Sequence, residues 1–151
     1  SMPLDFDFTD GWGLASSSDG IDKLYAPGQV PSNENLYVTD SGTKLYKVDF
    51  DGKSFKLLSK VTITTPAGAP LEMANELELI REDELWANIY TKDCIARLDP
   101  HTGKVFGFLL GDHLRKEDLG RRAEVFNGIA YHRQSGRIFV TGKLWSQLFE
   151  V

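Results

Sequence analysis

Two asparagines stand at the head of short apolar segments that recur along the chain. Asn75 opens Asn75-Glu76-Leu77-Glu78, and Asn127 opens Asn127-Gly128-Ile129-Ala130. Asparagine is disfavoured in strands because its amide competes with backbone pairing, so its repeated use indicates either a residue that caps the strand or a polar group that serves a site. Glu76 and Glu78 lie two residues apart, which places both carboxylates on one face of a strand, either lining a channel or facing water.

Three further side chains are candidates for a ligand site. Trp12 and Trp86 are followed by the small residues Gly13 and Ala87. A small neighbour leaves an indole face open to a ligand, although indoles more often fill a protein core. Lys143 directly follows an apolar strand, from where its ammonium group points either into a pocket or into water.

Composition and the remaining motifs argue against several classes of function. The 22 acidic and 17 basic residues give a net charge of -5 without a basic stripe, so nucleic acid is not an expected partner. No apolar run approaches the roughly 18 residues of a membrane span, so no membrane partner is expected. The three histidines lack zinc-ligand spacing, and Cys94 has no nucleophile motif around it. Neither a metal nor another cofactor is predicted.

The elements that would position these residues recur about every 50 residues. Strands led by Leu36, Leu85 and Ile138 are spaced by 49 and 53 residues, and each has a strand before it and a partner strand after it. Two of the units add a fourth strand after a turn rich in Asp and Gly. Four strands per unit of about 50 residues are typical of a β-propeller blade, whose first strand lines the central channel. The heads of the first strands should therefore meet at one mouth.

The sequence predicts an all-β fold, a single partial β-propeller over residues 1–151. About three four-stranded blades would lie at 11–65, 74–111 and 124–151, and residues 1–10 would hold an extra strand. That strand would either join the third blade by exchange or belong to a preceding blade. Residues 16–35 are predicted to form a long surface loop. Because natural propellers typically have about four to eight blades, completion requires further sequence or a second copy of the chain.

Seven specific segments follow one another along the chain. They are Asp10-Gly11-Trp12-Gly13-Leu14, Asn75-Glu76-Leu77-Glu78, Leu85-Trp86-Ala87-Asn88-Ile89-Tyr90, Cys94-Ile95-Ala96-Arg97, Asn127-Gly128-Ile129-Ala130, Phe139-Val140-Thr141-Gly142-Lys143-Leu144-Trp145 and Leu148-Phe149-Glu150-Val151. That series closely resembles the plant-type glutaminyl cyclases, the papaya latex type of glutaminyl-peptide cyclotransferase. The resemblance implies a propeller of about five blades, of which this chain would form the C-terminal part.

The resemblance also implies an activity and a site. An N-terminal glutamine of a peptide or protein would be converted to pyroglutamate with release of ammonia, without a metal or other cofactor. The positions that match the family's site are Asn75 and Lys143 as catalytic residues and Trp12, Gly13 and Trp86 as substrate-binding residues. The family's catalytic glutamate would lie upstream, and the parent protein would be secreted or endomembrane. The alternative is an inactive half-propeller that acts as a binding or assembly module.

Overall fold

Short antiparallel strands make up most of the fold. The computed structural model describes residues 6–8, 10–17, 35–50, 53–116 and 122–151. Within these ranges lie eleven strands and one short helix, α1 (Asp112–Lys116). The strands are β1 (Gly13–Ser16), β2 (Asn35–Thr39), β3 (Lys44–Phe50), β4 (Phe55–Thr62), β5 (Ala74–Arg81), β6 (Glu84–Ile89), β7 (Cys94–Leu98), β8 (Val105–Leu110), β9 (Phe126–His132), β10 (Arg137–Gly142) and β11 (Phe149–Glu150). The predicted all-β class is confirmed.

The strands form three sheets, each built from consecutive antiparallel strands. The first sheet holds β1 to β4, the second β5 to β8 and the third β9 to β11, each in chain order. Leu36, Leu85 and Ile138, whose spacing predicted a repeat, all lie in the second strand of their sheet. The regular spacing in the sequence therefore corresponds to a regular succession of sheets.

The second sheet is the centre of the core because it packs on both of its neighbours. The cluster between the first and second sheets includes Tyr37, Leu45, Leu77 and Leu85. The cluster between the second and third sheets includes Trp86, Ile95, Phe126, Ile129 and Val140. All six residues of β6 are buried. Such a strand has no polar alternation, as expected when both faces of a sheet are covered.

The aromatic residues near the N-terminus pack on the first sheet. The ring of Phe6 stacks on Tyr46 at a centroid distance of 5.5 Å, and Phe8 meets the same ring edge-on at 5.3 Å. The Tyr46 hydroxyl donates to Asp40 Oδ2 at 2.8 Å, and burial together with Asp40 raises the pKa of Tyr46 to about 12. Residues 6–8 form no strand and contact the first sheet through side chains. The described part of the predicted extra strand therefore packs on the first sheet, and the rest of it lies outside the described residues.

Two predicted connections are described only in part. Residues 18–34 of the expected surface loop lie outside the described residues, as do 117–121 of the charged segment that follows the second sheet. That segment begins with α1, whose first turn carries Asp112. Among the described residues, no helix is long and apolar enough to cross a membrane.

Candidate functional site

The residues that begin β1 and β5 lie close together, with the backbone of Gly13 against that of Asn75. β1 lies beside β5, and β5 beside β9. The carbonyl oxygen of Asn75 accepts a hydrogen bond from Thr39 Oγ1 at 3.3 Å. A Cβ atom built on Gly13 would lie 1.7 Å from the same oxygen, far inside van der Waals contact. Only glycine at position 13 allows β1 to approach β5 this closely.

An aromatic pair lies at this junction. The rings of Trp12 and Tyr90 meet edge-on, with centroids 5.1 Å apart and an interplanar angle of 79°. The indole N–H donates to Asp10 Oδ2 at 2.8 Å, which fixes the orientation of the ring. The backbone N–H of Tyr90 donates to the carbonyl oxygen of Met73 at 2.8 Å, so Tyr90 lies beside the segment that leads into Asn75. Tyr90 was missed as a candidate, although its place at the end of the strand paired with β5 was a usable signal.

A β-bulge lies at Asn75 and Glu76. Ala74 and Leu77 are paired with residues of β6, and two residues lie between them where the facing strand has only Asn88. The extra residue therefore lies at Asn75 or Glu76. Bulges re-aim side chains and are over-represented beside active sites. The sequence pattern indicated a strand here but not the bulge.

The two glutamates of β5 cover the free edge of β9. Glu78 Oε1 accepts the backbone N–H of Tyr131 at 3.0 Å, and Glu76 accepts the N–H of Ile129. Because β9 is the edge strand of its sheet, these N–H groups would otherwise lack partners. Burial, reinforced by repulsion from Glu78, raises the pKa of Glu76 to about 8. Glu76 therefore carries a proton at neutral pH.

Several polar atoms beside the bulge are buried without a partner. Asn88 is fully buried, and its Oδ1 accepts the N–H of Gly128 at 3.0 Å. Asn88 Nδ2, Glu76 Oε2 and Asn127 Oδ1 have no hydrogen-bond partner among the described residues. Native structures contain few such atoms, and each calls for a physical explanation. The three atoms lie on β5, β6 and β9, close to the residues that begin β5 and β9. This clustering marks the region as a candidate site.

Trp86 makes a separate set of contacts. Its side chain is 8% exposed, belongs to the cluster between the second and third sheets, and donates its indole N–H to Glu84 Oε1 at 2.8 Å. Arg97 lies over the ring at 5.6 Å. These contacts are those of a core residue, since both the ring and its polar atom are already satisfied. The structure therefore brings together Trp12, Gly13 and Asn75 but not Trp86.

Lys143 lies at the same end of the third sheet as Asn127. Its N–H donates to the carbonyl oxygen of Val125 at 3.0 Å, and its own carbonyl oxygen accepts the N–H of Glu124 at 2.9 Å. Its side chain is exposed. These backbone bonds fix Lys143 beside the residues that enter β9. No group of three or more His, Cys, Asp or Glu side chains in the described ranges is arranged to hold a metal ion.

The match to a family model decides the relationship of this chain to known proteins. The model of the glutamine cyclotransferase family matches residues 3–151. The chain belongs to the glutamine cyclotransferase family. This result confirms the resemblance to glutaminyl cyclases inferred from the seven segments.

Two relatives of the glutamine cyclotransferase family give the extent of the similarity. The chain is 36% identical over 152 residues to glutaminyl-peptide cyclotransferase of Arabidopsis thaliana, which covers 99% of this chain and 42% of that protein. The crystal structure of Myxococcus xanthus glutaminyl cyclase matches with a TM-score of 0.74 and 35% identity over 95% of this chain and 55% of that one. The chain thus spans about half the length of these relatives.

Proposed function

We propose that the chain is a portion of a glutaminyl-peptide cyclotransferase that converts N-terminal glutamine of peptides and proteins to pyroglutamate. The observation that carries the proposal is the junction of Trp12, Tyr90 and Asn75 beside three unpaired buried polar atoms. Membership of the glutamine cyclotransferase family supports the reaction. The three sheets would be blades of a β-propeller, completed by N-terminal blades or by a second copy of the chain.

The proposed reaction is an intramolecular acyl transfer. The uncharged α-amine of the substrate attacks its own side-chain amide carbon, a C–N bond forms, and the bond to the amide nitrogen breaks. That nitrogen takes up a proton and leaves as ammonia, while the attacking nitrogen loses one. Holding amine and carbonyl in contact can lower such a barrier by several kcal/mol. One carboxyl group that serves as base and then as acid is sufficient for the proton transfers.

The junction offers groups for three tasks. Asn75, at the bulge, would donate to the side-chain carbonyl oxygen as negative charge builds there. Trp12 and Tyr90 would form the apolar walls, and Tyr90 replaces Trp86 in this role because Trp86 is buried between sheets. Lys143 would contribute a positive charge at the rim, either to the oxyanion or to the catalytic glutamate expected upstream.

Complementation tests the proposal. The chain would be co-expressed with the portion of the Myxococcus enzyme that it does not match, and ammonia release from a Gln-initiated dipeptide would be followed by a coupled assay. We expect turnover by the complex and none by the chain alone. Asn75→Ala should lower kcat by roughly a hundred- to a thousand-fold, the cost of losing one oxyanion donor. Asn35→Ala is the matched control, because Asn35 begins β2 at the opposite end of the first sheet.

Two outcomes would contradict the proposal. A folded complex without turnover would contradict the proposed activity. Equal rates for the Asn75 and Asn35 variants would contradict the proposed role of Asn75. A stable dimer of the chain by solution mass, with no complex and no turnover, would instead favour the inactive half-propeller.

A further inference from the structure

A cavity lies at the end of the first strands opposite Asn75. Its volume is about 340 Å³, and it is lined by Ser17, which follows β1, Arg81, which ends β5, and Arg133, which follows β9. Asn75 lies near the opposite end of β5. At about 3.3 Å per residue, the two ends of this strand are roughly 20 Å apart. The cavity is therefore distinct from the proposed cyclase site.

Positive charge is concentrated around this cavity. Lys47, Arg81 and Arg133 line it, and Glu82 is the one carboxylate among the described residues that do so. His101 also lines it, with Nε2 3.1 Å from the carbonyl oxygen of Glu82. The whole chain has a net charge of -5, so this lining has the opposite sign to the rest of the molecule. A concave site with such a charge attracts anions.

Two of the cations are available to a ligand. Arg81 is already paired with Asp83 and Glu84. Lys47 and Arg133 form no salt bridge within the described ranges. Arg133 donates one hydrogen bond, to the carbonyl oxygen of Leu79 at 3.2 Å, and Glu78 attracts it from β5. The guanidinium also lies 5.7 Å from the centroid of the Tyr131 ring, and its remaining N–H groups have no acceptor among the described residues, so they can donate to an anion.

An aromatic ring lies beneath the second cation, Lys47. Lys47 Nζ lies 5.7 Å from the centroid of the Tyr37 ring, which is itself buried. Burial, followed by the charges of Glu82 and Asp99, raises the pKa of Tyr37, so its hydroxyl remains a hydrogen-bond donor. The lining thus presents an ammonium, a guanidinium and a phenol, the donor set that suits clustered oxygen atoms.

From this arrangement we infer that the cavity between Lys47 and Arg133 binds a small multivalent oxyanion, a phosphate ester or a polycarboxylate. The two cations come from different sheets, Lys47 from β3 and Arg133 from the end of β9. A ligand with several charged oxygens offers a separate acceptor to each cation, whereas chloride offers only one.

Calorimetric titration of the chain with pyrophosphate and with citrate tests the inference, against sodium chloride at equal ionic strength. We expect saturable binding that weakens as salt is added. Lys47→Met and Arg133→Met should each weaken it by roughly ten- to a hundred-fold, the usual effect of losing a charged hydrogen bond. Lys47→Arg should retain it. Lys60→Met is the matched control, because Lys60 also lies over a tyrosine ring, 5.1 Å from the centroid of Tyr46.

The relative affinities identify the ligand chemistry. Binding of pyrophosphate alone would assign a phosphorylated ligand, and binding of citrate alone a polycarboxylate. Heats no larger than those of chloride would overturn the inference, as would an equal loss of affinity in Lys60→Met. If circular dichroism shows that Lys47→Met does not fold, weakened binding by Arg133→Met and retained binding by Lys47→Arg still test the inference.

Discussion

Replacing Glu76 with glutamine should stabilise the protein at alkaline pH and leave it unchanged at acidic pH. The folded protein holds the Glu76 proton up to about pH 8, because burial and Glu78 oppose ionisation, whereas a free glutamate releases it near 4.5. Between these values the folded state binds more protons than the unfolded chain. The free energy of unfolding must therefore fall as pH rises through this range. Glutamine has no proton to lose and retains an oxygen for the N–H of Ile129.

The size of the effect follows from the two pKa values. A rise from 4.5 to about 8 corresponds to at most about 5 kcal/mol of lost stability at high pH. Glu76 retains some contact with water, so we expect about 2 to 4 kcal/mol. For a chain of this length that is a difference in Tm of roughly 5 to 15 °C.

Urea denaturation followed by circular dichroism at pH 4.5, 6.5 and 8.5 measures this difference. Glu76→Gln and the wild type should agree at pH 4.5 and diverge progressively above it. Glu72→Gln, an exposed glutamate just before β5, controls for the loss of one carboxylate. A wild-type stability that does not decline from pH 5 to 8.5 relative to Glu76→Gln would refute the reasoning. So would a Glu76→Gln protein that is less stable than wild type at pH 8.5.

Two further predictions concern the close contact at Gly13 and the buried carboxylate of Glu84. Gly13→Ala should cost about 1 to 3 kcal/mol in urea denaturation, because its methyl group would overlap the carbonyl oxygen of Asn75. Gly107→Ala, which meets nothing within 4 Å, should be tolerated, and equal losses would show that contact with Asn75 is not the cause. Glu84→Gln should cost about 1 to 3 kcal/mol at pH 7. Burial opposes ionisation of Glu84, but hydrogen bonding chiefly from Arg97 outweighs it and lowers the pKa, so the wild-type advantage should shrink as pH falls below about 4.5 toward the lower pKa of the folded state. A deficit in Glu84→Gln that does not shrink at all between pH 7 and pH 3 would contradict this explanation.

Strand positions and the family could both be predicted from the sequence. Apolar segments led by Leu36, Leu85 and Ile138 lie in β2, β6 and β10, because an apolar run between turn residues has few alternatives to a buried strand. The succession of segments from Trp12 to Lys143 was specific enough to identify the family. Trp12 and Asn75 were both singled out as candidate site residues, and they lie at one junction because β1 and β5 are neighbours.

The choice between aromatic residues required the tertiary structure. Trp86 and Tyr90 are four residues apart in the same part of the chain, and either could be a wall residue by composition. Trp86 packs toward the third sheet and contacts Glu84 and Arg97 of its own sheet, while Tyr90 follows the end of β6 and meets Trp12. Periodicity along one strand cannot show which neighbouring sheet covers a given face.

The sequence alone determined which segments are strands, how they repeat and to which family the chain belongs, because these depend on local pattern. Only the tertiary structure decided how the side chains act. The bulge at Asn75 and Glu76 appears in the register with β6, and the proton on Glu76 depends on burial against β9. Glu78 bonds a residue 53 positions away, and the oxyanion cavity joins three sheets. Burial, charge and hydrogen bonding between such distant residues arise only when the sheets pack together.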